Sequence, residues 1–322
     1  MGTSGRKEAC PCGSGRTYQD CCYGDDVADA GGAGGIPSGR TRDAWEISDS
    51  GASRSMLKST DELEASNGLS REHIHALLYE PFTSPGLITF NLEQTTFPDA
   101  AFFRLFTYLL QGVAAGDLKP TDQGNLPVKF VNDAASWFYG EKEYRERMRI
   151  FSFRSEMDFP VFHSVRLAAH LSGFIRKYRG SLRLTKSGSE VLEKGMNGRV
   201  FLKIFEDYAT RFNWAYNDRY PDLPVVQQTF LFTLYLLMRY GNRLRPASFY
   251  EDMFVAAFPE ELSNVPQVFL SSKEETLKRS YTLRALRRFA HFFGFIEFTE
   301  KQELQRTPFL CEWIRLTGLD LR

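Results

Sequence analysis

Apolar residues recur every three or four positions along most of the chain after about residue 63, which is the pattern of amphipathic helices. The first such segment begins after Ser70, a residue type that favours a helix N-cap, and Pro81 ends it. Later segments with the same spacing predict helices at Ala100–Gln111, Val128–Phe138, Val161–Ser172, Ser187–Glu193, Val200–Tyr216, Val225–Tyr240, Ala247–Phe258 and Thr276–Phe293. Candidate strands are few and short, at Phe174–Arg179, Leu182–Thr185 and Phe295–Thr299. This body of the protein is therefore predicted to be mainly α-helical with small β-hairpins.

A short sequence recurs within the body. The segment 116–126 (GDLKPTDQGNL) resembles the segment 180–189 (GSLRLTKSGS), and each follows one apolar helix and leads into another. A weaker third copy runs from Leu283 through Phe295–Phe298 to Thr307–Leu310. Helix, hairpin and helix is the order of a winged-helix unit, and Thr185 suits the N-cap after the hairpin. We predict tandem winged-helix-like repeats, the alternative being similar helix–hairpin corners within one α-helical domain.

The composition changes before the body begins. Residues 24–62 are dominated by Gly, Ala, Ser and Asp, and large apolar side chains are nearly absent. Such a segment cannot bury enough apolar surface to offset the entropy of ordering it, so we predict a flexible linker. From Asp20 to Glu64 there are ten acidic and four basic residues, a local charge of −6. This charge either serves solubility alone or belongs to a tether that lets the preceding module search for a partner.

Four of the five cysteines are crowded into the sequence CPCGSGRTYQDCC, at Cys10, Cys12, Cys21 and Cys22. A disulfide pair is one explanation, but Met1–Glu8 is polar and gives no export signal, so we expect a reducing, cytoplasmic location. Redox-active thiols are a second explanation, although the C-x-x-C spacing is absent. A Zn²⁺ ion held by four thiolates is the third, and it explains all four positions together. Such a site has no open coordination position and is structural.

The same stretch, Cys10 to Cys22 with its Gly-Ser-Gly core, resembles the SEC-C motif, the zinc module named for the carboxyl-terminal tail of the SecA translocation motor. The resemblance implies that Cys10, Cys12, Cys21 and Cys22 are zinc ligands. It also implies a small contact surface for a protein or ribosomal client. The module lies at the amino-terminal side of an unrelated body, which argues against a role in export.

The body also resembles, over roughly Leu63 to Leu192, the Ri-plasmid Orf-three-like, mobile-element-associated bacterial proteins. The stretches that carry this resemblance are 75–82 (HALLYEPF) and 118–127 (LKPTDQGNLP). That family has no established activity to transfer.

Basic residues are concentrated in one part of a chain whose forty basic and forty acidic residues cancel. Residues 161–203 contain nine basic residues against two acidic ones. In a winged helix, Val161–Ser172 would be the helix that reads a nucleic-acid groove, with His163, Arg166 and His170 on its exposed side. The candidate nucleic-acid contacts are Arg166, Arg176, Lys177, Arg179 and Arg183. The alternatives are a solvated basic face packed against the acidic linker, or a protein-docking surface.

Recognised catalytic motifs are absent from the sequence, and Cys311 is predicted to be a small buried apolar residue. The longest apolar run, Val225–Met238, is too short to span a bilayer. We expect a zinc module at 1–23, the linker at 24–62, a helical body with two winged-helix-like repeats at 63–198, and a helical region with a candidate third unit at 199–322. The leading hypothesis is a non-catalytic protein that docks on a protein or ribonucleoprotein client. The alternatives are a winged-helix DNA-binding protein tied to mobile elements and, third, a hydrolase-type enzyme.

Overall fold

The computed structural model describes residues 68–116, 118–216, 218–267 and 271–319. The predicted zinc module and linker lie outside these residues. Within them the protein is mainly helical with small antiparallel sheets, as the sequence predicted. The predicted domain boundaries are not tested by this architecture and stay a prediction.

The elements of the first part of the body lie between residues 71 and 210. Its elements follow the chain as α1 (Arg71–Tyr79), β1 (Ile88–Phe90), α2 (Ala101–Ala114), α3 (Val128–Tyr139), α4 (Glu141–Met148), a 3₁₀ turn (Glu156–Asp158), α5 (Pro160–Leu171), β2 (Ile175–Tyr178), β3 (Ser181–Leu184), α6 (Lys186–Lys194) and α7 (Gly198–Thr210). Caps explain several boundaries: Ser70 accepts from the backbone N–H of His73, and Thr185 accepts from that of Gly188.

The second part repeats this mixture of helices and short strands. Its elements are α8 (Pro224–Gln228), α9 (Phe230–Tyr240), β4 (Arg245–Pro246), α10 (Ala247–Ala257), α11 (Glu261–Asn264), α12 (Lys273–Tyr281), β5 (Ile296–Phe298), β6 (Glu303–Arg306), α13 (Pro308–Trp313) and β7 (Ile314–Leu316). Helix α12 continues directly into a π-helix at Thr282–His291.

Two stretches of the body share one order of elements: a helix, a short extended segment, three further helices and a β-hairpin. In the first unit (residues 101–184) the hairpin is β2–β3, and Leu182 N–H donates to the carbonyl oxygen of Leu118 at its edge. In the second unit (residues 230–306) the strands pair in the order β4-β6-β5. The extended segment therefore lies beside the last strand in both units.

The bonds that join helix to hairpin are also the same in both units. Phe174 N–H donates to Ala169 O at 2.9 Å, and Phe295 N–H donates to Ala290 O at 2.8 Å. The Thr185 hydroxyl donates to Gly173 O at 2.6 Å, and the Thr307 hydroxyl donates to Gly294 O at the same distance. Both glycines have a φ of +75°, which an L side chain rarely adopts. The sequences aligned by these bonds are 166–175 (RLAAHLSGFI) and 287–296 (RRFAHFFGFI).

This pairing corrects the repeat that was predicted from the sequence. Among the described residues of 116–126 there is no strand, and the segment turns instead, with Gly124 N–H donating to Thr121 O. Its Leu118 is the edge of the first hairpin and not the start of a separate hairpin. The weaker copy that ends at Thr307–Leu310 is the structural counterpart of the hairpin copy at 180–189.

The two units share one hydrophobic core, in which α7 is central. Phe201 of α7 lies with its ring centroid 4.6 Å from that of Trp313, and Phe205 lies 5.7 Å from Phe289. Strands β1 and β7 close the core with three antiparallel residue pairs from Ile88↔Leu316 to Phe90↔Ile314. Rings of this size bury a large area each and fill the seams between helices. The hairpins are consequently held on a rigid support.

Candidate nucleic-acid interface

The first hairpin is closed by a two-residue turn at Arg179 and Gly180. Both residues have a positive φ, 48° and 75°, which is the geometry that fits the twist of a tight hairpin. Glycine adopts it freely, whereas a side chain such as Arg179 pays roughly 1–2 kcal/mol for it. A strained arginine is thus placed at the tip, exposed to solvent.

One face of the first hairpin carries the basic residues. Arg176 pairs directly across from Arg183, and Tyr178 lies two residues along from Arg176 on the same face. The guanidinium carbons of Arg176 and Arg179 lie 5.2 Å and 5.1 Å from the centroid of the Tyr178 ring. Arg176, Arg179 and Arg183 are all exposed. We call these three arginines with Tyr178 the basic wing.

Within the part of the chain that the structure describes, the charges of the basic wing are not balanced by neighbouring carboxylates. Among the described residues, none of the three arginines has a carboxylate oxygen within 4.0 Å. Like charges directly opposite one another destabilise a strand pair. An anion between Arg176 and Arg183 would remove that repulsion. Lys177 lies on the opposite, half-buried side of the hairpin and makes a contact of its own, so it does not share this position.

The hairpin of the second unit has the same register but different charges. Glu297 pairs with Gln305 where the first hairpin pairs Arg176 with Arg183. The exposed residues Glu300 and Lys301 stand at its turn. The shared fold therefore does not require arginines at these positions. The basic wing is a property of the first unit alone.

The structure corrects the predicted position of Arg166 and His163. Both were expected on the exposed side of α5, but they are 5% and 3% exposed. Arg166 Nε donates to Glu156 Oε1 at 2.5 Å, and His163 Nδ1 lies 2.8 Å from the same oxygen. The other oxygen of Glu156 accepts from Leu126 N–H at 2.6 Å. Arg166 is thus an internal ion-pair residue, and the prediction that it lies on the exposed side of the helix is wrong.

Glu156 remains ionised in this interior site. Burial alone would raise the pKa of its carboxyl group, but Arg166 and His163 oppose that effect and bring the pKa to about 2. A fully buried carboxylate is tolerated here because each of its oxygens has hydrogen-bond donors.

Helix α5 presents little surface for reading a groove. Seven of its residues, from Phe162 to Ala169, are buried, because the 3₁₀ turn and α7 pack against it. The corresponding helix of the second unit is also anchored internally: Arg284 is 1% exposed and donates to both oxygens of Asp218, at 2.6 Å and 3.0 Å. His170 is half-buried. Of the predicted contacts, the structure brings Arg176, Arg179 and Arg183 together and separates Arg166 and Lys177 from them.

Sequence reasoning missed Tyr178. The sequence did contain a signal for it. Arg176 and Tyr178 are two residues apart on one strand and so share a face, and the turn at Gly180 sets the register that places Arg183 opposite Arg176. The prediction counted charges along the chain and did not consider which residues share a face of the hairpin.

Two shallow cavities formed by described residues have no recognised catalytic arrangement among the residues that line them. One, of about 300 Å³, is lined by Cys311, Glu312, Trp313 and Arg315 with Thr89, Phe90 and Asn91. Cys311 is exposed there, so the prediction that it is buried is wrong. The described ranges hold no cluster of three His, Cys, Asp or Glu side chains suited to a metal ion. Within the same ranges, no helix combines the length and apolar character needed to cross a membrane.

Comparison with protein families gives one match. Residues 6–24 match the SEC-C motif. The match contains all four clustered cysteines, and the SEC-C motif is usually associated with zinc. No curated protein and no solved structure matches the chain. The resemblance of the body to the Orf-three-like proteins therefore stays a prediction.

Proposed function

We propose that this SEC-C protein binds nucleic acid through its basic wing, as a non-catalytic cytoplasmic protein that engages a ribonucleoprotein client. One observation carries the proposal: the first hairpin exposes three arginines without carboxylate partners among the described residues, whereas the equivalent positions of the second hairpin hold Glu297 and Gln305. Arginine clusters of this kind bind phosphate groups, because the planar guanidinium group can donate two parallel hydrogen bonds to two phosphate oxygens. The expected binding depends strongly on salt and weakly on sequence.

We further propose that the two units are winged-helix modules fused on one core. Each unit has a helix, a short extended segment, further helices and a hairpin, and the extended segment lies beside the last strand; this order supports the assignment. In such modules the helix before the hairpin usually enters the major groove. Here Arg166 and Arg284 tie the corresponding helices to buried carboxylates. The wing of the first unit takes over the contact with nucleic acid.

The SEC-C module is proposed to hold one structural Zn²⁺ through Cys10, Cys12, Cys21 and Cys22. Four thiolates match the tetrahedral preference of zinc, and Arg6, Lys7 and Arg16 lie close in sequence to offset the two negative charges of such a centre. The metal would supply most of the folding free energy of a segment this short. The module then serves as a docking surface for the protein part of the client.

A duplex-DNA role tied to mobile elements is the less favoured alternative. It needs an exposed helix that reaches base edges in the major groove. Helix α5, which the sequence suggested for this role, is largely buried, and this makes the alternative less favoured.

The proposal is tested with the full-length, zinc-loaded protein and a fluorescently labelled oligonucleotide of mixed sequence. Binding is measured by anisotropy across a salt series for the wild type and for the triple variant R176Q/R179Q/R183Q. Log affinity falls as log salt concentration rises, and each lost phosphate contact should reduce the steepness of this fall by about 0.7 to 0.9. The slope of the triple variant should therefore be shallower than that of the wild type by about two. The double variant R243Q/K301Q, which removes exposed positive charge elsewhere on the body, is the control. Equal slopes for the wild type and the triple variant would reject the proposal.

A further inference from the structure

We infer that the basic wing takes a single strand in preference to a duplex, and that it holds one nucleotide with its phosphate between Arg176 and Arg183 and its base against Tyr178. This inference rests on the proposed nucleic-acid function and names the class of ligand. It follows from the arrangement of the four side chains on one hairpin face and from the burial of α5.

The phosphate position is defined by the cross-strand arginine pair. Residues directly opposite in an antiparallel pair have Cβ atoms about 4.5–5.5 Å apart. Arg176 and Arg183 are such a pair, so their guanidinium groups can both donate to one phosphate group. A single anion would then satisfy two exposed donors whose mutual repulsion otherwise weakens the hairpin.

The base position is defined by Tyr178. Tyr178 lies on the same hairpin face as Arg176, two residues further along β2, which is a distance of about 6.6 Å along the strand. Tyr178 is half-buried and the residue opposite it, Ser181, is buried, so only part of the ring is open to a base. Arg176 and Arg179 flank the ring. Aromatic rings and guanidinium planes are the groups on which unpaired bases stack.

A duplex offers this aromatic ring no partner. Its bases are already stacked and paired, and proteins that read them place a helix or ribbon in a groove. Seven residues of helix α5 are buried, so among the described residues this helix offers little surface to a groove. A duplex would gain only phosphate contacts, whereas a single strand would gain those contacts and a stacked base.

The test uses the full-length protein and three labelled probes of one length and sequence: a single strand, its duplex, and a single strand with abasic sites in place of its nucleosides. The single strand should bind more tightly than either of the others at the same salt concentration. Tyr178→Ala should weaken single-strand binding by about 5- to 100-fold, because one base stack is lost, and should leave abasic-strand binding unchanged. Tyr178→Phe, which keeps the ring, should bind like the wild type. The same measurements with an RNA single strand and with a DNA single strand show which of the two nucleic acids binds more tightly.

Duplex affinity equal to or above single-strand affinity would overturn the inference. An equal effect of Tyr178→Ala on the normal and abasic strands would also overturn it, because the ring would then contribute to fold and not to stacking. Unfolding midpoints of both Tyr178 variants show whether the hairpin is intact. Failure of the proposed function is a distinct outcome: in that case the R176Q/R179Q/R183Q variant binds every probe as the wild type does.

Discussion

Replacing Glu156 by Gln should destabilise the body strongly, although the two side chains have nearly the same shape. The amide oxygen can still accept from Leu126 N–H, but the charge that balances Arg166 is lost. Arg166 is only 5% exposed, so its guanidinium cannot turn to solvent without opening the core. Breaking a buried ion pair from one side costs about 3–5 kcal/mol, since the remaining charge stays buried and loses this carboxylate.

The pKa of Glu156 gives an independent figure for the same interaction. A fall from the ordinary value of 4.5 to about 2 corresponds to about 3 kcal/mol of stabilisation by the ionised form. Because the folded-state pKa lies below the unfolded-state value, this stabilisation is fully present above pH 4.5 and is lost as the pH falls toward 2. The difference between the wild type and Glu156→Gln should therefore shrink across that range.

The assay is urea unfolding of both proteins at pH 7 and at steps between pH 5 and pH 3, followed by circular dichroism. Exposed Glu190→Gln is the control and should change the free energy of unfolding by less than about 0.5 kcal/mol. The double variant E156Q/R166Q should be more stable than the sum of the two single changes predicts, because neither charge is then left alone. A loss below about 1 kcal/mol for Glu156→Gln at pH 7 would refute the reasoning.

The remaining predictions concern the repeat, the second internal ion pair and the zinc module. Gly294→Ala should lower the free energy of unfolding in urea more than Gly173→Ala does. Both glycines have a φ of +75°, but only at Gly294 would an added Cβ meet Pro98 Cγ, at 2.6 Å. Equal losses of unfolding free energy would contradict the packing described. Arg284→Met should cost about 3–5 kcal/mol, because the buried Asp218 carboxylate loses both of its short guanidinium bonds and keeps only Tyr220 N–H and the longer contact to Arg288 at 3.9 Å. Arg243→Met on the surface should be nearly neutral. Elemental analysis should find one zinc per chain, absent after Cys21→Ser, with an unchanged unfolding midpoint of the body; metal-free wild-type protein would contradict the assigned site.

The local features of the first hairpin could be predicted from the sequence. The expected helix at Val161–Ser172 is observed at Pro160–Leu171. The expected strand Phe174–Arg179 shortens to Ile175–Tyr178, and the expected strand Leu182–Thr185 shifts by one residue to Ser181–Leu184. Gly180 at the turn and Thr185 at the helix N-cap are short-range signals, so they needed no tertiary information. The π-helical continuation of α12 carries no such signal, and the sequence predicted one regular helix there.

Long-range packing could not be predicted in the same way. A charged residue on an amphipathic helix is normally exposed, so Arg166 was placed on the surface. Its partner Glu156 lies ten residues earlier, beyond the reach of helical spacing rules, and only the packed fold brings the two together. The pairing of β1 with β7 likewise joins opposite ends of the body and leaves no local pattern.

The repeat was found from the sequence, but one copy was assigned to the wrong segment. The match rested on glycine, leucine and threonine spacing, which a turn and a hairpin share. The backbone bonds of Gly173 and Gly294 identify the true counterparts, and this alignment reveals that Arg176 and Glu297 are equivalent. That difference between equivalent positions carries more functional information than the excess of basic residues along the sequence.

Ultraviolet crosslinking of a bound single strand to the full-length protein, followed by mass spectrometry of the modified peptides, tests most directly where the nucleic acid lies. The account predicts adducts on the peptide that contains Tyr178 and none on the second hairpin. Adducts confined to the second hairpin, or to surfaces that exclude residues 175–184, would contradict it.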